Sequence, residues 1–467
     1  MLIRHENYDA VVIGSGQAGE PLAIEFARAG LHTALLQGCG FGDDCVDTGC
    51  APSKSLIASA NVAHLARNAQ AFGVQTGSVE VDFGKVQMRK QALVAGLRSE
   101  SLRALRAAPD LTILKGETRF ENAGSLLVRE PDGSMLGLHS PRIFINTGAR
   151  PTLPDLPGLA DVPHLTSSSA MELDELPDHL LVLGGSYLGV ELGQMFRRFG
   201  SGVSVIERQS QLLAREDRDV AATMAEILRE DGVAVFLETE AVGVATAPAG
   251  AGAIRLTVRT PSGEHVLAGS HLLVVAGREP NTGGLDLSAA GIAVDARGYI
   301  KVNERLETSA PGVYALGGVN GGPAFTHVAY DDMRIIRAGV LDNANTNTMG
   351  RMCPYTAFSD PQLGRIGLTE NEAREQGRAV RVAKPPTHRV ARVAEQAGPR
   401  GLMKVVIDCS TDRIVGAAVI GADSGEIMAM LQTAMMADMT YTALCEGMFA
   451  HPTLAGSRIN LCAVLDG

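Results

Sequence analysis

Residues 41–54 read FGDDCVDTGCAPSK and place two cysteines, Cys45 and Cys50, with four residues between them. The apolar, Ala-rich run from Leu56 to Ala71 behind them predicts a helix stopped at Gly73. A cysteine pair at a helix start suits redox chemistry, because the N–H groups of the first turn favour a thiolate over a thiol. Lys54 adds a positive charge one turn further on. A zinc site would need two more ligands at metal spacing, and no CxxC or HxxxH pair supplies them. No metal site is therefore read from the sequence, and for this stretch alone two unpaired thiols remain the alternative.

Two repeated units flank these residues. Asp9–Gly19 (DAVVIGSGQAG) reads as a buried strand running into a glycine turn with Gly14, Gly16 and Gly19. A helix over Pro21–Ala29, stopped by Gly30, and a second strand over Thr33–Gln37 follow. This is a βαβ unit with GxGxxG where the turn must be, so that a pyrophosphate can approach the helix N-terminus. His179–Gly189 (HLLVLGGSYLG) repeats it about 170 residues later, with Gly14 aligned to Gly184, Gly19 to Gly189, Phe26 to Phe196, Gly30 to Gly200 and Gln37 to Glu207. Two such units predict two nucleotides held face to face, one a flavin and one a nicotinamide dinucleotide. The alternative is two Rossmann units in a fused, non-redox protein, which the cysteine pair between them disfavours.

Composition removes several other classes. A chain of 467 residues is too long for one core and predicts two to four domains. Its 41 basic against 52 acidic residues give a net charge of -11, which argues against nucleic acid or an anionic membrane as partner. With Trp absent and aromatics at 4%, stacking on bases finds little support. No apolar run reaches membrane-spanning length, and residues 1–8 are too short and polar for a signal peptide. Seven cysteines in so long a chain suit a cytoplasmic protein with one functional pair better than a disulfide framework.

The remaining stretches supply the frame. A basic amphipathic helix is predicted over Val86–Ala107 and reads as a solvated face. Short strands follow at Leu111–Leu114, Thr118–Phe120 and Leu126–Arg129. The run Ile143–Pro151, with Thr147 and Gly148, closes the first domain, and Pro- and Gly-rich residues 151–165 read as a linker. Residues 243–253 read as a flexible hairpin loop. Buried strands are expected at Leu272–Arg278 and from Val313, the latter followed by a tight turn at Gly317-Gly318 and a helix opening at Phe325. From about residue 350, strands at Arg365–Leu368, Met403–Ile407 and Ile414–Ile420 precede two Met-rich helices, Glu426–Met439 and Thr442–Met448. This predicts an α+β domain with an antiparallel sheet, the methionines serving core or subunit interface.

Taken in order, these motifs resemble the two-cysteine pyridine nucleotide–disulfide oxidoreductases over essentially the whole chain, nearest in texture to mercuric-reductase-like and dihydrolipoamide-dehydrogenase-like members. The resemblance implies an α/β protein with two Rossmann-type dinucleotide-binding domains and a C-terminal α+β dimerisation domain. It divides the chain into an FAD-binding part (1–150), an NAD(P)-binding domain (151–275), a return to the FAD domain (276–347) and the dimerisation domain (348–467). Cys50 would be the flavin-proximal thiol and Cys45 the interchange thiol. Lys54 would pair with Glu191, Tyr187 would gate the nicotinamide, and His451 would be the acid/base contributed across a homodimer. Contacts to FAD and to NADH or NADPH would come from Gly14, Gly16, Gly19, Gln37, Lys54, Thr147, Gly148, Gly184, Tyr187, Gly189, Glu207, Arg208, Gly277 and Gly318. Glu207 favours NADH by hydrogen bonding a ribose 2′-hydroxyl, while Arg208 beside it could accept a 2′-phosphate.

The substrate implied is a small-molecule disulfide, dithiol or metal ion, and the electrons that reach it would pass from NAD(P)H through FAD and the Cys45–Cys50 disulfide. Several positions depart from the family pattern: Asp43, Asp44 and Asp47 around the first cysteine, Gln37 for the ribose-binding acid, Ser186 for a glycine of the nicotinamide loop, Gly318 for an Asp that holds FAD, and Gly456 for the Glu that orients His451. These departures keep two alternatives open, a flavin-dependent dithiol oxidase using oxygen and a catalytically degraded dimer with a binding role. Cys462 in the tail reads as a buried thiol, and Cys39, Cys353, Cys409 and Cys445 receive no role.

Overall fold

The computed structural model describes residues 3–38, 49–247, 254–384, 400–450 and 453–457. Cys45 and His451, and with them Cys39, Asp43, Asp44, Asp47 and Cys462, lie outside the described residues. The chain divides into two units. One gathers Met1–Ser53, Met88–Thr152 and Gly277–Arg351, and the other gathers Lys54–Gln87, Leu153–Ala276 and Met352–Gly467.

In the first unit, apolar runs form a five-stranded parallel sheet in the order Val313–Ala315, Ile143–Ile145, Ala10–Ile13, Thr33–Gln37, Leu111–Lys115. Val12 lies opposite both Leu35 and Phe144. Ala10–Ile13 is buried throughout, as a parallel strand covered on both faces must be. On one face Val12, Leu35 and Phe144 pack against Leu22, Phe26, Met333 and Ile336 of the helices Gly19–Arg28 and Thr326–Leu341. On the other, Val11, Ile13 and Leu36 pack against Phe120, Leu126 and Leu138 of a second sheet. That sheet is a meander of Glu117–Asn122, Ser125–Arg129 and Met135–His139, with Arg4–Asn7 added parallel at its edge. Arg4–Asn7 is mostly exposed and polar, so it carries no apolar signal and is not predicted from the sequence.

In the second unit, Ala234–Phe236, Gly202–Ile206, His179–Leu183 and His271–Val274 form a parallel sheet in that order. The strands Glu240–Thr246, Ile254–Thr260 and Gly263–Gly269 make an antiparallel sheet. Residues 243–246, predicted as loop, thus belong to a strand, because Val244 buries its side chain with Leu256 and Ile206 in one core. Residues 151–165, predicted as a linker, are packed as well: Leu156, Leu159 and Val162 enter the same core. A five-stranded antiparallel sheet follows, in the order Tyr355–Ala357, Gln362–Gly367, Ile414–Gly421, Leu402–Asp408, Val380–Ala383. The helix Ser424–Met436 lays Ile427, Met428, Leu431 and Ala434 on it, while Met436 and Met448 are exposed. Residues 54–87 group with this unit rather than with residues 1–53, because Leu56, Ile57 and Ala60 are buried in a core with Val190, Leu192 and Phe196. No helix among the described residues is long and apolar enough to cross a membrane.

Both glycine turns depend on a close approach between helix and strand end. A Cβ on Gly19 would collide with Gly14 O, and one on Gly189 with Gly184 O. Gly19→Ala and Gly189→Ala should each destabilise their unit by about 1–3 kcal/mol through overpacking, read from denaturant midpoints. Gly96→Ala should be neutral or gain up to about 1 kcal/mol, since Gly96 lies in the helix Phe83–Ala107 with nothing near its missing Cβ.

Candidate active site

The first turn is built from strand end, glycines and one side chain that the sequence does not single out. Gly14 has φ +105, a conformation that favours glycine, and its Cβ would strike Asn146 O. Asn146, 7% exposed, accepts from Gly19 N–H at 2.8 Å and donates to Leu316 O at 2.8 Å. It ties the glycine turn to the strand ends on either side. Ala18, before the helix Gly19–Arg28, makes no side-chain cap, so the helix start is open to a ligand. The Thr147 hydroxyl donates to Asn281 O and Asn281 Nδ2 donates to Thr147 O, both at 2.8 Å. Thr147 therefore joins Gly277–Arg351 to the first segment. Gly277 O accepts from Thr152 N–H at 3.0 Å. Gln37 is half-buried at the end of its strand. Gly318 has only ordinary contacts around its missing Cβ, the nearest being Ala149 N at 3.7 Å, so there is room for a side chain but no anchoring group. A carboxylate does stand nearby in the chain: Asp332, 1% exposed, accepts from Gly317 N–H at 2.9 Å and pairs with Arg351 at 2.5 Å.

The second turn has the same plan. Gly184 has φ +119. Glu207, at the end of Gly202–Ile206, accepts from Gly185 N–H at 2.7 Å and from Gln209 N–H at 2.9 Å. Arg208 beside it is exposed. Ser186 is the N-cap residue of Tyr187–Phe199 with extended φ and ψ, and its hydroxyl makes no cap hydrogen bond. Tyr187 opens that helix and is half-buried.

The redox stretch is described from Gly49 onward. Cys50 is the first residue of the helix Cys50–Arg67, whose first turn carries no acidic side chain. The Cys50 side chain is exposed, and its Sγ lies 3.4 Å from Thr326 Oγ1 at the start of the helix Thr326–Leu341. Ser53 Oγ donates to Gly49 O at 2.8 Å and fixes the first turn. One turn beyond Cys50, Lys54 Nζ stands 2.8 Å from Glu191 Oε2. The Glu191 side chain is 1% exposed and that of Lys54 29%. Glu191 Oε1 accepts from Phe358 N–H at 2.7 Å, and the Phe358 ring lies 4.7 Å from Lys54 Nζ. The buried carboxylate is thus satisfied at both oxygens, the arrangement a buried charge requires. At Gly456 a Cβ would meet Ala450 O, and Gly456 N–H donates to Thr453 Oγ1 at 2.9 Å. The turn is shaped for glycine, and a glutamate there would need it to move. Asn146, Thr326, Asp332 and Phe358 are not recognised from the sequence: each acts on a partner 15 to 276 positions away.

A glycine turn that admits pyrophosphate, its repeat, and a helix that opens on a thiol and pairs a lysine one turn later define a flavin-linked disulfide oxidoreductase. Residues 8–332 match the pyridine nucleotide-disulphide oxidoreductases and residues 353–461 their dimerisation domain, and the chain belongs to this family. It is 36% identical over 462 residues to the probable pyridine nucleotide-disulfide oxidoreductase RclA of Escherichia coli, covering 98% of this chain and 99% of that one. A mercuric reductase of Streptomyces lividans is 33% identical over 456 residues, covering 97% and 95%. The Cu(II) complex of the HOCl-induced flavoprotein disulfide reductase RclA from E. coli superimposes with a TM-score of 0.87 at 35% identity, covering 99% of each chain. The protein is an FAD-dependent oxidoreductase that uses a pyridine nucleotide, and its dimerisation domain indicates a homodimer. The first unit fits FAD: the cradle at Gly14, Gly16 and Gly19 lies where any side chain would collide with Asn146 or Gly14 O, and the helix start behind it is uncapped.

Glu191→Ala should cost about 3 kcal/mol in unfolding free energy, the low end for a broken buried pair because Lys54 keeps some access to water, and Glu191→Gln less. Thr326→Val in the reduced protein should move the midpoint of the pH–rate profile for Cys50 alkylation upward, because a hydroxyl that donates to sulfur favours the thiolate.

Proposed function

We propose that this protein, as a cytoplasmic homodimer, takes electrons from NAD(P)H and delivers them through the Cys45–Cys50 pair to a disulfide or metal-ion acceptor. The observation that carries the reading is the helix Cys50–Arg67, which presents a thiol at its N-terminus and, one turn on, a lysine held by a buried carboxylate. The relatives support the acceptor class: several are mercuric reductases, and the RclA structure is a Cu(II) complex.

When bound, FAD supplies the two-electron exchange between nicotinamide and a disulfide. The chain's own residues do the rest. Gly14, Gly16 and Gly19 would hold its pyrophosphate, with Gly148 and Gly318 as further contacts. In the reduced protein the helix start at Cys50 favours a thiolate, to which the Thr326 hydroxyl beside it can donate. Lys54, fixed by Glu191, stands one turn beyond Cys50 on the same helix. Cys45 as a thiolate attacks one sulfur of an acceptor disulfide and expels the other as a thiolate, which His451 of the dimer protonates. Cys50 then attacks the mixed disulfide at Cys45, restores the Cys45–Cys50 bond and releases the second thiol. For a metal ion, the two thiolates are soft ligands suited to Hg(II) or copper.

Glu207 carries the nucleotide preference. A carboxylate accepts from a ribose 2′-hydroxyl and repels a 2′-phosphate, so NADH is the preferred donor. Ser186, with its hydroxyl uncommitted to the cap, offers a donor to the pyrophosphate rather than obstructing it, which favours a nucleotide-using enzyme over an oxygen-using dithiol oxidase.

The test is the visible spectrum of the purified protein before and after anaerobic NADH or NADPH. The expected result is bound flavin that is reduced and gains a long-wavelength band from the neighbouring thiolate. Cys50→Ala should lose that band and all disulfide-dependent turnover. Reduction by dithiols alone would support the oxidase, and a protein that cannot be loaded with FAD would leave a non-catalytic dimer. With the wild type active, kcat/KM should favour NADH over NADPH, and Glu207→Ala should erase most of the difference.

A further inference from the structure

We propose that Glu216 is a positioning residue for the nicotinamide nucleotide: the C-terminal antiparallel sheet grips its side chain and so fixes the loop 207–217 against the phosphate-binding turn at Gly185. The inference rests on the reading of Gly184–Gly189 and Glu207 as the nicotinamide site.

The loop begins at Glu207, which is bonded to Gly185, and ends at Glu216 and Asp217. Glu207 accepts from Gly185 N–H at 2.7 Å, and Leu213 N–H donates to Gly185 O at 2.9 Å, so the loop takes both backbone groups of that glycine. Leu212 lies where a Gly185 side chain would be. Leu213 has φ +50, a left-handed conformation that a leucine adopts only when its surroundings impose it. What imposes it is the next turn of chain. Glu216 N–H donates to Leu213 O at 2.8 Å, and Gln211 Nε2 donates to Glu216 O at 2.9 Å. Two hydrogen bonds in series, Glu216 N–H to Leu213 O and Leu213 N–H to Gly185 O, therefore connect the Glu216 backbone to the glycine turn.

The Glu216 side chain is 2% exposed and faces the C-terminal sheet. Tyr355 Oη donates to its Oε1, and Arg365 Nε stands 3.4 Å from its Oε2. Arg365 is itself buried and donates Nη1 to Ala417 O at 2.9 Å. The following residue repeats the attachment. Asp217 accepts from Glu370 N–H at 3.0 Å and Asn371 N–H at 3.2 Å, and Lys404 Nζ lies 3.0 Å from it. Tyr355, Arg365 and Lys404 come from three strands of the C-terminal sheet, so the nucleotide loop is anchored by the dimerisation domain rather than by its own.

The anchor is sensitive to pH near neutrality. Burial pushes the Glu216 carboxyl up to about 7; Arg365 opposes this, Asp217 and Glu372 add to it, and Lys404 opposes it. Below that value the carboxyl is neutral and its attraction for Arg365 is lost. Because the folded value is raised, the folded state binds more protons than the unfolded one between the ordinary carboxyl range and about 7, and Glu216 makes the fold less stable as pH rises through that window. Nucleotide binding should run the other way, tightening as the ion pair forms.

The experiment uses full-length, FAD-loaded protein, with steady-state oxidation of NADH and NADPH by ferricyanide from pH 6 to 8 and calorimetric binding of NAD⁺. Glu216→Gln should raise the KM for the nucleotide and the Kd for NAD⁺ about three- to tenfold, with kcat little changed, and flatten their pH dependence. Tyr355→Phe should act in the same direction by less, and it tests the idea if Glu216→Gln does not fold. Arg378→Ala, which removes an exposed pair with Asp408 on the same sheet, should leave both constants unchanged. Folded Glu216→Gln or Tyr355→Phe proteins with wild-type KM and Kd, or with kcat falling in step with melting temperature, would overturn the positioning role alone. A wild type that neither oxidises nor binds a nicotinamide nucleotide would overturn the underlying site reading and this inference with it.

Discussion

The second unit is held by a carboxylate that cannot reach water. Glu191 sits on the helix Tyr187–Phe199 among buried Val190, Leu192, Met195 and Phe196, and its charge must be met within the protein. Lys54 meets it from residues 54–87 and Phe358 N–H from residues 352–467, so a single side chain ties together the three segments of the unit. Gln194 and Arg198 extend the same helical face. Gln194 Nε2 donates to Asp231 Oδ2 at 2.8 Å, and Arg198 pairs with Asp231 at 3.1 Å and Asp360 at 2.5 Å. A polar stripe inside an otherwise apolar contact adds little net stability, since each group exchanges water for a protein partner. It makes other arrangements costly, because any slip strands a buried charge.

The same constraint decides what the redox helix can do. Cys50 stands at a helix start with no acid in its first turn, and Lys54 is placed one turn on by Glu191. The two dinucleotide turns give the complementary economy of backbone. Each uses a glycine to bring the helix against the strand end and leaves a helix start for phosphate. Ser186 lies within the second turn as the N-cap residue of Tyr187–Phe199, Gly318 has only ordinary contacts around its missing Cβ, and Gly456 sits in a turn that has no space for a larger residue.

The C-terminal sheet has a double role in this architecture. As part of the dimerisation domain it carries the family's assembly surface, and through Tyr355, Arg365 and Lys404 it also grips the loop that follows Glu207. A domain whose sequence speaks only of core packing and Met-rich helices thereby holds the loop that is bonded to Gly185.

Much of this was legible in the residues alone. The doubled GxGxxG, spaced so that Phe26 and Phe196 and then Gly30 and Gly200 fall in register, specified two parallel βαβ units, because glycine turns and unbroken apolar strands are local requirements of that fold. The cysteine spacing and the alternation after residue 350 likewise pointed to a redox helix and an antiparallel sheet. Local pattern misjudged residues 243–246, where Gly and Ala suggested a loop although Val244 completes a core, and it gave no sign that Leu156, Leu159 and Val162 of the linker enter the same core. Asn146, Thr326, Phe358 and Glu216 were decided only by tertiary structure. Each is an ordinary polar or aromatic residue whose role comes from a partner far along the chain, and the physics that assigns it is the cost of leaving a buried polar group unpaired, which no spacing within the sequence records.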